Sequence, residues 1–479
     1  MMNEACLLSA VFVPVAGAFL TPLAAMLSAR LRNYLSLIFV SVSLFCSIAM
    51  IPAILAGKAI TISLQLPIGF NFILNADGLA VFMAIVSSFI GAIIVLYSFG
   101  YISHYPNQNE YYFMVVLFLG SMTGLVYSAN LILLYIFWEL TALTSWRLIG
   151  FFRQKQHVLR ADKAFLVTVF GALAMLLGFI FIYQKTGSFD LAVIKSALGT
   201  LPLPDIAVAL ILIGILSKSA TLPFHTWLPD AGVAPSPVTA LLHAAVLVKI
   251  GVYVYARLFI ATFAIGDIWH TIVPAIAAAS ALVSAGAALI ETDMKRIIAY
   301  STVSQIAFIF LGFSVGSSIG IAGALLFILM HGLAKGGLFL CAGIVEQNAK
   351  TKDITKMGGL MSTMPVTAIS FLACSFSIMG LPPFGGFFSK YLVFSGTLAS
   401  SHNYIAMTFF VGAVLTILYL LRIFNMVFLG ESRLGSVREG SRIMVVSVAA
   451  LATLSLLAGI YIKYPSDFVQ MTVKQMLGM

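Results

Sequence analysis

Charge is scarce in this chain. Lys, Arg, Asp and Glu make up 9% of its 479 residues, against 61% hydrophobic ones, where a soluble domain carries roughly a quarter charged residues. That shortage excludes a water-soluble fold and marks an integral membrane protein lying in a lipid bilayer. Acid is scarcer than base, with 16 Asp and Glu against 26 Lys and Arg and a net charge of +10. In a soluble protein such an excess suggests nucleic acid; in a membrane protein it marks cytoplasmic loops, so no nucleic-acid partner is expected. Cysteine is scarce too. Cys6, Cys46, Cys341 and Cys374 all fall in apolar stretches with no CxxC or Cys/His spacing, which argues against a disulfide framework or a metal site. No polar stretch is long enough for a soluble domain. Any redox or nucleotide chemistry must then belong to a partner, with no cofactor and no catalytic redox centre expected in this chain.

What the chain has in plenty is apolar runs of about 20 residues, each long enough to cross ~30 Å of hydrocarbon. They predict an all-α membrane protein with about fourteen transmembrane helices. The spans run over 5–28, 34–56, 77–101, 111–128, 130–152, 164–185, 206–222, 237–261, 271–290, 296–315, 318–345, 362–396, 404–429 and 443–463. The first has neither a basic leader nor a small-residue cleavage site, so it is expected to be a retained helix. Loop charge supports the same list. With the N-terminus outside, Arg30, Arg32, Arg153, Lys155, Arg160, Lys163, Lys295, Arg296, Lys350, Lys352, Lys356, Arg433, Arg438 and Arg442 fall inside, while only Lys58, Lys185, Lys195, Arg257, Lys463 and Lys474 fall outside. The positive-inside rule then places both termini outside.

Six basic residues remain, and all lie within spans: Arg147, Lys218, Lys249, Lys335, Lys390 and Arg422, joined by one carboxylate, Glu139. A charge at bilayer depth costs from ~2.5 to more than ~10 kcal/mol. Such a cost borne several times points to an ion or proton path. Two spans are also interrupted. Pro223, Pro229, Pro235 and Pro237 follow Lys218, and Gly380-Leu-Pro382-Pro383-Phe384-Gly385-Gly386 precedes Lys390. Proline removes a backbone donor and opens the helix. Freed carbonyls are tolerated at membrane depth only when buried in protein or lining a wet cavity. Paired broken helices suggest an internal duplication of the kind found in ion-coupled transporters. The expected organisation is N-terminal helices over 1–110, a first inverted repeat over 111–261 broken near 218–237, a second over 271–429 broken near 379–390, and a C-terminal helix and tail over 430–479.

A lysine in a low-dielectric site finds its charged form disfavoured and can then hold or release a proton near neutral pH. A nearby carboxylate reverses this, so a movable Glu139–Lys218 contact would switch Lys218 between loading and release. Lys218, Lys249, Lys335, Lys390 and Glu139 are therefore the candidate proton path. Arginine does not deprotonate, which excludes Arg147 and Arg422 as carriers. His243 and His331 are candidate relays because imidazole titrates near pH ~6.5. His331 and Lys335 are four apart and share a helix face; His243 and Lys249 are six apart and are expected to serve different neighbours. His225 and Asp230, in the first break, are candidates for gating or channel access, with loop capping as the alternative. Asp77 opens the third span as Asn75-Ala-Asp77-Gly78, and an N-cap explains it. A stand-alone carrier would want a substrate-sized polar site, and a degenerate structural subunit would have lost part of this file of titratable groups. Sodium stays open as the carried ion.

The runs FWELTALTSWRLIGF (137–151), SKSATLPFHTWLPDAGVAPSPVTALLHAAVLVKIGVYVYARL (217–258), HGLAKGGLFLCAG (331–343) and GLPPFGGFFSK (380–390) resemble the antiporter-like subunits shared by respiratory complex I, Mrp-type sodium/proton antiporters and energy-converting membrane hydrogenases. The resemblance implies fourteen core helices, two inverted five-helix repeats and two discontinuous helices. It carries the family's buried Glu onto Glu139 and its lysines onto Lys218, Lys249, Lys335 and Lys390, with His331 in the HxxxK pair. Arg147 stands where the pattern usually has an apolar or aromatic residue. It either biases Glu139 through water or snorkels to the inside interface, with snorkelling preferred. The chain stops sixteen residues after its last span, without the long extension of the largest family members. In size and wording it looks most like the hydrogenase-4 branch of the family. The expectation is a proton-translocating subunit of an energy-converting [NiFe] hydrogenase in a bacterial or archaeal cytoplasmic membrane. Its expected partners are other membrane subunits and a peripheral redox module; a complex I-like NADH-quinone oxidoreductase or an Mrp antiporter is the alternative.

The charge count generates a topology prediction. Single cysteines replacing His157 and Lys474 in a cysteine-free background should label from opposite sides of sealed vesicles. Labelling from the same side would sink the even number of spans.

Overall fold

The computed structural model describes residues 2–67, 71–434 and 437–479. The chain opens with α1 (Met2–Leu27), then α2 (Ala29–Ala49) with its one-turn continuation α3 (Ile51–Leu55). After a hairpin come α4 (Gly78–Tyr101), α5 (Gln108–Tyr127), α6 (Leu131–Ile149) and α7 (Lys155–Thr186). The short α8 (Leu191–Leu198) precedes α9 (Asp205–Lys218), which ends at the first break. Across the break lie α10 (Trp227–Asp230) and α11 (Ser236–Ala240), and then α12 (Leu247–Phe259). The second half runs through α13 (Trp269–Ile290), α14 (Met294–Ser314) and α15 (Ser318–Ala349) to the second broken pair, α16 (Pro365–Met379) and α17 (Gly385–Ala399). It ends with α18 (Asn403–Phe428), α19 (Arg442–Ile460) and α20 (Lys463–Leu477). Among the described residues, 12 helices are long and apolar enough to cross a membrane. The two broken helices supply the remaining crossings of the all-α architecture expected from the sequence.

Side chains start and stop these helices as their chemistry requires. Asp77 accepts from Ala80 N at 2.9 Å to cap α4, Asn130 accepts from Ile132 N at 3.0 Å to cap α6, and Asp293 accepts from Lys295 N at 2.9 Å to cap α14. Each supplies an acceptor for a first-turn N–H that has no helical partner. Gly380 stops α16 in a left-handed conformation at φ 82, which a side chain would resist. Packing repeats between halves: α7 lies against α9 as α15 lies against α17, and α5 against α6 as α13 against α14.

One element was not expected from the sequence. Between α3 and α4, β1 (Ile60–Gln65) pairs antiparallel with β2 (Asn71–Ala76) in the register Ile60 to Ala76. Ile60-Thr61-Ile62-Ser63-Leu64 does alternate with period two, the pattern of a half-buried strand. The hairpin lies on the face that carries both termini. There α20 also docks, with Gln475 accepting from Gly78 N at 3.1 Å and donating to Ile54 O at 3.3 Å.

The opposite, basic face is tied by ion pairs that bridge the halves. Asp230, at the end of α10, receives Lys163 Nζ from α7 at 2.7 Å and Arg296 Nη1 from α14 at 2.8 Å, and Arg296 also bonds Glu291 at 2.8 Å. Burial alone would push the Asp230 carboxyl up, but the hydrogen bonds from Lys163 and Arg296 hold it below the ordinary carboxylate value. Glu291 is held low against burial in the same way, by Arg296 and by main-chain N–H groups.

These pairs generate a pH prediction. A carboxyl held low in the fold stabilises it fully above the unfolded pKa of ~4, and that contribution is lost as pH falls through the folded value. The side chains of Lys163, Asp230 and Arg296 are 42%, 22% and 26% exposed, so Asp230→Asn should cost only about 1–2 kcal/mol. In detergent, wild type should lose more thermal stability than Asp230→Asn between about pH 5 and about pH 3. Parallel losses would show that Asp230 does not hold the break in place.

Candidate functional site

The site lies where the two halves meet, and both breaks open onto it. At the first, α9 ends on Lys218, which is fully buried. Its Nζ donates to the main-chain carbonyl of Trp138 on α6 at 3.0 Å and lies 5.2 Å from the centre of the Trp138 ring. Glu139 is the next residue, partly buried, and its Oε1 is shielded from solvent with no hydrogen-bond partner among the described residues. No Glu139–Lys218 ion pair lies within 4.0 Å among the described residues, so the amine rests on the neighbouring peptide instead. The chain returns through Thr221, whose N–H donates to Leu216 O at 2.9 Å, and Trp227, whose Nε1 donates to Ser217 O at 2.9 Å. These bonds satisfy carbonyls that the end of α9 leaves without helical donors.

Beyond the break the helix is irregular once more. A π-type turn spans Leu241–Ala245, and Val246 N donates to Leu241 O at 3.1 Å. Nothing in the sequence announced this turn. It leaves the carbonyl of His243 free to accept Lys249 Nζ at 3.0 Å, and Lys249 also meets His331 Nδ1 of α15 at 2.6 Å. His243 and Lys249 thus do meet, through the histidine's main chain, despite their expected separation. Both ring nitrogens of His243 are buried without partners among the described residues, beside the Phe339 ring at 4.4 Å, and His331 Nε2 is likewise unpartnered there.

Lys335, one turn beyond His331 on α15, donates to Ile298 O at 3.2 Å and Ser301 Oγ at 2.5 Å on α14. Ser301 continues to Tyr419 OH at 2.7 Å, and Tyr419 donates to Thr416 at 3.2 Å on α18. This hydroxyl chain was not read from the sequence, where isolated Ser, Thr and Tyr carry no signal. At the second break Lys390 reaches back across the loop to Ile378 O at 2.6 Å, between the rings of Phe308 and Phe327. The approach needs Gly386, because a Cβ there would meet the Ser377 carbonyl.

The remaining candidates lie toward the basic face. His225 is partly exposed, with a buried Nδ1 lacking a partner. Asp230 belongs to the ion cluster described above. Arg147 pairs with Glu110, which Arg153 also meets at 2.6 Å, and among the described residues it makes no hydrogen bond to Glu139. Arg422 donates to Leu289 O at 2.5 Å and Glu291 O at 2.9 Å, closing the end of α13. Two basic residues assigned to loops are in fact buried. Lys295 is 1% exposed and bonds Ala234 O at 2.7 Å and Glu346 at 3.1 Å. Arg257 is 7% exposed and binds Asp77 through both terminal guanidinium nitrogens, at 2.5 and 2.7 Å. Asp77 therefore does more than cap α4.

The site thus sets four amines and two imidazoles in one buried zone, with unused hydrogen-bonding capacity on both histidines and on Glu139. Such groups can pass a proton. Residues 128–416 match the family described as NADH:quinone oxidoreductase/Mrp antiporter, TM, and residues 62–112 match the N-terminus of chain 5 of NADH-ubiquinone oxidoreductase (complex I). The Na(+)/H(+) antiporter subunit designated A in Alkalihalophilus pseudofirmus is 36% identical over 427 residues, 82% of this chain and 53% of that protein. The antiporter subunit designated A1 in Staphylococcus haemolyticus is 35% identical over 425 residues, with the same coverage of 82% and 53%. The chain spans about half the length of the curated relatives it matches. In fold it is similar to a chain of the Mrp complex from Dietzia sp. DQ12-45-1b, with a TM-score of 0.90 at 21% identity over 100% of this chain and 98% of that one. A chain of an archaeal membrane-bound sulfane sulfur reductase gives a TM-score of 0.90 at 23% identity, over 99% and 98%. The antiporter-like membrane architecture and the sequence relatives agree: this chain belongs to the NADH:quinone oxidoreductase/Mrp antiporter transmembrane family.

Proposed function

We propose that this chain carries protons through its buried lysine–histidine file as an antiporter-like subunit of a larger membrane assembly, in first place an Mrp-type Na+/H+ antiporter. The observation that carries this reading is the 2.6 Å contact between Lys249 Nζ and His331 Nδ1. It joins α12 of the first half to α15 of the second by a bond along which a proton can move. A proton passing from Nζ to Nδ1 leaves a neutral amine and lets the imidazole release its other proton from Nε2. A charge on one amine raises the cost of charging its neighbours, so protons advance rather than accumulate. Glu139 supplies the switch. Turned toward Lys218 it holds the cation; turned away it lets Lys218 rest on Trp138 O and give up its proton.

The sequence relatives are antiporter subunits, which puts the Mrp-type assembly ahead of the hydrogenase-4 type suggested by wording and size. The fold's recurrence in a respiratory sulfur reductase keeps a redox-driven assembly as the second reading. On either reading the partners are other membrane subunits, related antiporter-like ones among them; a peripheral redox module joins only on the second. The basic face is then the cytoplasmic side of a bacterial or archaeal membrane, with both termini outside. A subunit list of the detergent-solubilised complex separates these, since hydrogenase subunits, flavin-bearing NADH subunits and small antiporter subunits differ.

Lys218→Ala or Lys390→Ala should abolish ion-driven proton movement in everted vesicles while the complex still assembles on native gels. Wild-type flux in both would make the lysines structural. Glu139→Gln should impair transport and Glu139→Asp should retain part of it. Lys218→Arg should fail although it keeps its charge, because a guanidinium does not release its proton. An active Lys218→Arg variant would turn the switch into a static pair.

A further inference from the structure

On α12, Lys249, Tyr253 and Arg257 follow one another at intervals of four residues, so they form one stripe along the helix. Lys249 belongs to the proton file; the other two have no role in it so far. Tyr253 is fully buried, and its hydroxyl donates to Val126 O at 2.5 Å at the end of α5. Arg257 Nε donates to that same hydroxyl at 3.0 Å, and the guanidinium stands over the Tyr253 ring at 5.5 Å. The other guanidinium nitrogens take both oxygens of Asp77, at 2.5 and 2.7 Å. Immediately beyond the pair, on the face carrying both termini, opens a cavity of about 360 Å³ lined by Lys58, Asn75, Asp77, Lys195, Arg257 and Gln475. The stripe therefore runs from the middle of the relay to an aqueous mouth, and the Arg257–Asp77 pair stands at its end.

We propose that Arg257 and Asp77 form a gate that closes this route between the Lys249 relay and the cavity on the terminal face, with Tyr253 as the last proton-bearing group behind it. The gate rests on the proton-carrying reading above. Arginine suits a barrier better than a carrier, because its fixed positive charge opposes a passing proton and never leaves. The planar fork fills both carboxylate oxygens, so the pair closes the opening sterically as well as electrostatically. Asp77 also caps α4 through Ala80 N, which anchors one jaw to the helix end. Among the described residues, the Arg257 guanidinium bonds the side chains of Tyr253 and Asp77, so its opening requires breaking side-chain bonds alone. The step without a direct contact, Lys249 to Tyr253, is a backbone rise of about 6 Å, and to cross it Lys249 Nζ must leave the His243 carbonyl and turn along the helix, with water completing the bridge.

The test uses everted vesicles bearing the assembled complex, with passive proton leak after an acid jump read by a pH-sensitive dye. Arg257→Gln removes the plug while leaving Asp77 to cap α4. Leak should rise about tenfold or more, equivalent to ~1.4 kcal/mol or more lost from the closed state, and adding Lys249→Ala to the same chain should suppress it. Wild-type leak in assembled Arg257→Gln, or leak that persists with Lys249→Ala, overturns the gate. Should Arg257→Gln not assemble, Tyr253→Phe decides, since it removes one hydroxyl only. Exchange lowered several-fold supports the route and wild-type exchange overturns it. Lys249→Ala alone separates the two readings. Wild-type exchange there defeats the proton-carrying function itself, whereas its loss alongside wild-type behaviour in Arg257→Gln and Tyr253→Phe defeats only the gate.

Discussion

Each of the four buried lysines of the proposed relay is held by a main-chain carbonyl: Lys218 by Trp138, Lys249 by His243, Lys335 by Ile298 and Lys390 by Ile378. A carbonyl is a neutral acceptor, and an amine donates to it whether or not it carries its extra proton. Protonation can therefore change while the side chain keeps its place. A buried carboxylate partner would instead fix the cation, because separating the pair in a low dielectric is costly. Much of the backbone irregularity serves this arrangement. The π-type turn exposes the His243 carbonyl, and the second break leaves Ile378 O among the last, unpaired carbonyls of α16.

Where cations must stay cations, the protein spends its few carboxylates. Arg257 with Asp77, Lys295 with Glu346, Arg147 and Arg153 with Glu110, and Lys163 and Arg296 with Asp230 all lie near helix ends. Among the described residues, Glu139 is the carboxylate beside the proposed relay, next to the Trp138 carbonyl that holds Lys218. The division follows from solvation, since ion pairs near the interfaces keep access to water while the middle of the bundle does not. It accounts for a chain with so little acid that is none the less closed at both ends by salt bridges.

The same architecture occurs in an antiporter complex and in a sulfur reductase at low identity. Fold alone therefore does not name the task. The sequence relatives narrow it. This chain matches about half of their length, and its buried lysines and histidines sit within the family-matched residues 128–416.

Much of this was legible in the residues alone. Apolar run length marked the membrane spans, because hydrocarbon thickness sets it. Proline clusters marked both breaks, because the missing N–H is a local property. Charges within apolar runs marked Glu139, Lys218, Lys249, Lys335 and Lys390, since their cost in lipid does not depend on neighbours. Other features were decided only by the tertiary structure. Nothing in the spacing showed that Lys249 meets His331 across the two halves, or that Lys335 continues through Ser301 and Tyr419 to α18. Arg257 and Lys295 read as loop charges but are buried against Asp77 and Glu346, residues 180 and 51 positions away along the chain. The reason is physical. Burial in lipid, chain stiffness and missing donors act within one helix and are written in one stretch of sequence. Which carbonyl, ring or carboxylate faces a buried amine depends on how separate helices pack, and no single stretch contains that.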